Sequence, residues 1–135
     1  MTRTSVPEAW RRRNGLALLT DFYELTMLSG YLRHGLAERR VAFEYFFRSL
    51  PPHTGFVVSA GLESFLDYLE NLRFTPEDLA YLEGLKTFDR GTLDYLADFK
   101  PELDVWAFPE GTPAFPHEPV VRVEGPLAQA QLVET

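Results

Sequence analysis

The 135-residue sequence contains no cysteine, which excludes disulfide bridges, a thiolate nucleophile and thiolate metal ligands. Histidine is sparse, and His34, His53 and His117 share no short metal-ligand spacing. No apolar run approaches the length of a membrane span. The opening segment, Met1 to Asn14, carries Arg11, Arg12 and Arg13 without an apolar stretch to follow them, so no secretory signal is read there. The expected location is the cytoplasm, with no membrane partner and a solvated tail over residues 1–15. Positive charge is also in short supply, with 13 Lys and Arg against 20 Asp and Glu and a net charge of −7. Sequence-independent nucleic-acid binding depends on neutralising phosphates, so no nucleic-acid partner is expected. A small phosphorylated ligand held by a few local arginines remains compatible with this balance. Internal repeats, low-complexity segments and a Gly-rich phosphate loop of the P-loop or dinucleotide type are all missing.

What the sequence does have is apolar and aromatic mass. Hydrophobic residues make up 45 % and aromatics 14 %, including 11 Phe, enough for the core of one domain. Helical spacing predicts a helix over Leu18 to His34 with Thr20 as N-cap. One stripe is Phe22, Leu25, Leu28 and Leu32; a second is Tyr23, Met27, Tyr31 and His34, and Gly35 follows as the C′ residue. Val41 to Arg48 alternates as a strand and is expected to pair with a short strand at Phe56 to Ala60, across the 51–55 loop. Gly61 to Leu72 reads as an amphipathic helix. Thr75 with Pro76, and Asp89, open two further helices, each with a hydrophobic staple, Phe74 to Leu79 and Phe88 to Leu93. From Asp104 the pattern changes to short strands, Val105 to Phe108 and Val120 to Glu124. Gly125-Pro126 then reads as a cap and N1 pair opening a helix at Leu127. The fold class expected is α+β: a helical and strand-pair region over 16–103, a partial small β-sheet element over 104–125, and the start of a helix over 126–135. Because that helix is short, the sequence reads as a fragment of a longer chain.

No self-contained active site is visible. Gly61 joins a strand to a helix, where backbone N–H groups can bind an anion, although a glycine there more often serves packing. Asp21, Glu24 and Glu44 lie near element ends, and the helix dipole accounts for the first two without any function. By composition alone Tyr23 is a core or interface residue. Arg48, at the end of a Phe-rich strand, is either a solvated edge residue or a phosphate contact. His53 and His117 read as exposed and idle.

Four segments extend the reading. LLTDFYELTM, FEYFFRSLP, FVVSAGLESFLDYLENLRFTPEDLAYL and GTPAFPHEPVVRVEGPLAQAQLVET together resemble, in order, the N-terminal region of the nicotinate phosphoribosyltransferase family. The resemblance covers roughly residues 16 to 135 and implies an enzyme that makes nicotinate mononucleotide from nicotinate and phosphoribosyl pyrophosphate, with ATP hydrolysis, in NAD biosynthesis. It implies Mg²⁺ and ATP for the full enzyme, with neither bound by this region alone. It also implies a homodimer with a shared active site, and a catalytic α/β barrel domain that is absent from this chain. In related enzymes the tyrosine of the first motif stacks on the pyridine ring across the dimer interface. Tyr23 matches that position, Asp21 stands beside it, and Arg48 becomes a candidate phosphate or pyrophosphate contact. No catalytic residue is expected in the 135 residues, and the isolated chain is expected to be inactive. Two other readings remain open at this point: a non-catalytic dimerisation or regulatory domain, and the nicotinamide-using branch of the same family.

Overall fold

The computed structural model describes residues 16–134. The expected tail over 1–15, with its arginine triplet, and Thr135 lie outside the described residues. The elements in chain order are α1 (Phe22–Arg33), β1 (Arg40–Tyr45), β2 (Val57–Val58), α2 (Leu62–Asn71), α3 (Pro76–Gly84), α4 (Arg90–Ala97), β3 (Asp104–Ala107), β4 (Pro113–Ala114), β5 (Val121–Pro126) and α5 (Leu127–Leu132). Helices and small antiparallel sheets are combined as the α+β expectation has it, and the described residues form no barrel.

Local chemistry sets the starts of α3 and α4. At α3 the Thr75 side chain accepts from the Asp78 N–H while the Asp78 carboxylate accepts from the Thr75 N–H, a complete capping box with Pro76 at the first helical position. At α4 the Asp89 carboxylate accepts from the Thr92 N–H at 2.8 Å. Phe74, Phe88 and Leu93 are buried, and Leu79 packs against the same core. Gly35 follows α1 in the left-handed region, φ 67°, as expected of a C′ residue. The N-cap of α1 is Asp21 and not Thr20. The reason is that the Thr20 hydroxyl donates to the side chain of Glu24.

The strands pair differently from the sequence expectation. Val41 to Arg48 does not form a pair with Phe56 to Ala60. Instead β1 runs antiparallel to β5, from Arg40 opposite Pro126 to Tyr45 opposite Val121, and β5 in turn pairs with β3, giving the order β1-β5-β3. The two-residue β2 pairs with β4. The physical reason lies in the facing residues. Phe43 opposes Val123 and Val123 opposes Val105, so one face of the sheet is continuously apolar. On the other face Glu44 opposes Arg122 and the two form an ion pair at 3.0 Å. The 51–55 loop begins with two prolines that have no N–H to extend a local ladder. The sheet thus joins residues on both sides of position 104.

Helix α5 lies between α1 and the sheet. Ala128, Gln129, Ala130, Gln131 and Leu132 are all buried, and the helix packs on α1, β1 and β5. Pro126 is its N-cap and still belongs to β5, so it does not occupy the expected first helical position. The first free N–H groups of α5, from Leu127 and Ala128, donate to the carbonyls of Arg39 and Ala37. Leu25 and Leu28 of α1, Leu82 of α3, Leu93 and Leu96 of α4, and Leu132 of α5 form the centre of the core.

Candidate functional site

The start of α1 and the end of α5 meet at Tyr23. Its ring is 45 % exposed, and its hydroxyl donates to Glu134 Oε2 at 3.1 Å. The same carboxylate oxygen accepts from Gln131 Nε2 at 2.8 Å. Gln131 is buried, and its Oε1 accepts from the Tyr31 hydroxyl at 3.4 Å. Partial desolvation pushes the Tyr23 phenol above the usual tyrosine value. The Glu134 hydrogen bond and charge add to this, followed by the charges of Glu24 and Asp21. Tyr23 is therefore a neutral hydrogen-bond donor at physiological pH.

Other apolar side chains near the start of α1 are also exposed, namely Leu19, Phe22 and Met27, and Phe22 lies edge-on to Phe88 with centroids 5.9 Å apart. Asp21 is exposed at the N-cap, with no side-chain cap bond. Beneath this surface Glu24 is completely buried and accepts from Thr20. Burial, and then the charge of Glu24, pushes the Tyr68 phenol up. The sequence reading took Glu24 for a dipole residue at a helix end. Its spacing from Leu28, one turn away on the same face, was the available sign of burial.

Arg48 lies on a different part of the chain, three residues beyond β1. It is exposed and forms no ion pair among the described residues. Asp21 and Tyr23 share one helical turn, and Arg48 is bonded to neither. Nearby, His117 donates its backbone N–H to the Phe47 carbonyl, and its ring lies 5.9 Å from that of Phe46. The anion-binding reading of Gly61 finds an internal answer. The Glu110 carboxylate accepts from the Gly61 N–H at 2.9 Å, so the start of α2 already faces a negative charge. Among the described residues no three His, Asp or Glu side chains converge as a metal ion would require.

Comparison with known proteins decides the family. The model of the nicotinate phosphoribosyltransferase (NAPRTase) N-terminal domain matches residues 18–135. The chain belongs to the nicotinate phosphoribosyltransferase family. Nicotinate phosphoribosyltransferase pncB2 of Mycobacterium tuberculosis (strain ATCC 25618 / H37Rv) is 46 % identical over 119 residues, covering 88 % of this chain and 26 % of that protein. The nicotinate phosphoribosyltransferase of Bacillus subtilis (strain 168) is 41 % identical over 122 residues, covering 90 % of this chain and 25 % of that protein. The crystal structure of human nicotinic acid phosphoribosyltransferase superposes with a TM-score of 0.77 at 36 % identity, over 85 % of this chain and 24 % of that one. The nicotinate-nucleotide pyrophosphorylase of Pyrococcus furiosus shares the fold alone, with a TM-score of 0.58 at 21 % identity over 98 % of this chain and 26 % of that one. The chain therefore spans about a quarter of the length of the curated relatives it matches.

Proposed function

We propose that the chain is the N-terminal domain of an enzyme that joins nicotinate to phosphoribosyl pyrophosphate, releasing pyrophosphate and forming nicotinate mononucleotide for NAD biosynthesis. The supporting observation is the match of residues 18–135 to the N-terminal domain of that family. In this reading the reaction is a displacement at the anomeric carbon of the ribose, and this domain helps to position the attacking ring. Tyr23 forms one wall of the nicotinate slot, reaching the site of a second copy in a homodimer. Its exposed face and tethered hydroxyl suit that role, and an aromatic face fits a flat, electron-poor pyridine. Asp21 lies at the rim of the slot, and Arg48 contacts a phosphate or pyrophosphate group. Mg²⁺ and ATP act elsewhere in the enzyme. The enzyme works in the cytoplasm; no helix among the described residues is long and apolar enough to cross a membrane.

The test is product formation. The complete protein that carries this region should convert nicotinate, phosphoribosyl pyrophosphate and ATP with Mg²⁺ into nicotinate mononucleotide, and should leave nicotinamide unused. The 135-residue chain alone should produce none. Turnover by the isolated chain would show that the chemistry resides in these residues, and preference for nicotinamide would move the protein to the other branch of the family.

A further inference from the structure

An exposed tyrosine on the first turn of a helix has several rotamers open to it, and a ring that must meet a flat ligand edge needs only one. At Tyr23 the ring is fixed from its far end. The hydroxyl reaches Glu134 Oε2 at 3.1 Å, and that oxygen is itself held by Gln131 Nε2 at 2.8 Å. Gln131 belongs to the buried helix α5 and is 4 % exposed, so the tether runs from the solvent-facing ring into the core. The two ends of the bond are 111 residues apart in sequence. It therefore links the first helix to the segment that leaves α5.

We propose that Glu134 is a positioning residue that orients the Tyr23 ring for the nicotinate substrate, which rests on the reading of Tyr23 as a wall of the nicotinate slot. Glu134 does not touch the substrate. It holds a carboxylate oxygen where the phenol must point, and Gln131 keeps that carboxylate in place. The donor is neutral and the acceptor charged, one of the stronger hydrogen-bond classes. The raised phenol keeps its proton and so remains the donor across the working range of pH.

Steady-state kinetics of the complete enzyme test this, with nicotinate and phosphoribosyl pyrophosphate varied in turn. Glu134→Ala should raise the nicotinate KM by about five- to tenfold, the worth of an ordinary hydrogen bond, because this one is exposed to solvent, with the phosphoribosyl pyrophosphate KM and kcat essentially unmoved. Glu134→Gln keeps an acceptor and should recover most of the loss. Tyr23→Phe should match Glu134→Ala, and the double variant should be no worse than either single one. Tyr23→Phe also decides the matter if Glu134→Ala fails to fold. In the 135-residue chain, NMR titration should show the Tyr23 phenol losing its proton at lower pH once Glu134 is replaced by Gln. If Tyr23→Ala raises the nicotinate KM while Tyr23→Phe and Glu134→Ala leave it unchanged, the positioning role is wrong and the slot reading stands. If Tyr23→Ala changes nothing, both are wrong. Equal losses in every parameter, without rescue by Gln, would make Glu134 a structural residue only and overturn the proposal.

Discussion

Glu24 and Asp89 are both carboxylates at the first turn of a helix, and their surroundings give them different work. Glu24 is fully buried, with Thr20 as a donor. Asp89 is exposed and accepts from the Thr92 backbone N–H, then from the Thr92 hydroxyl and the Arg33 guanidinium, which together lower it from 3.8 to about 2. A carboxylate depressed in the folded state contributes stability that is complete above its unfolded value and is lost as the pH falls through the folded one. The contribution of Asp89 should therefore be whole above about pH 4 and fade toward pH 2. Asn caps helices as well as Asp but does not titrate there. Asp89→Asn should thus flatten the acid limb of a melting-temperature profile between those values, while an unchanged limb would show that the ionised cap has no such role. The sequence identified Asp89 as a cap because N-capping depends on residues three apart. The burial of Glu24 was signalled only by its place one turn before Leu28 on the same helix face.

A distinction between local and distant causes holds for whole elements. The openings of α3 and α4 were readable from Thr75, Pro76, Asp78 and Asp89, and the structure contains the bonds those residues imply. The partner of β1 was not readable, because β5 lies about eighty residues further on and only the facing of Phe43 with Val123 and of Glu44 with Arg122 selects it. Gly125 shows how tightly that sheet is closed. Opposite Val41 in β5, an added Cβ would lie 2.6 Å from Leu103 Cδ2 and 2.9 Å from the Glu102 carbonyl oxygen. Sequence reading gave Gly125 a capping role, whereas its requirement is close approach of backbone to backbone. Gly125→Ala should destabilise the domain by roughly 1–3 kcal/mol through overpacking, read as a lower denaturation midpoint. An unchanged midpoint would mean that the 102–103 segment yields freely.

At the scale of the whole molecule, the chain is a domain whose exposed large apolar residues include Leu19, Phe22, Tyr23 and Met27, near the start of α1. The family was legible in the sequence because four segments occur in order, and the domain match over residues 18–135 bears this out. Only the resemblance grouped Asp21, Tyr23 and Arg48 as site residues; in the fold Asp21 and Tyr23 share the first turn of α1, and Arg48 lies beyond β1. Glu134 was missed because its partner Tyr23 is 111 residues away. The central claim is that this domain lends Tyr23 to a nicotinate slot. Its most direct test is the kinetics of Tyr23→Ala in the complete enzyme. The nicotinate KM should rise roughly tenfold or more as an aromatic wall is lost, while the KM for phosphoribosyl pyrophosphate stays within about twofold, since that substrate does not use the ring. An unchanged nicotinate KM would contradict it.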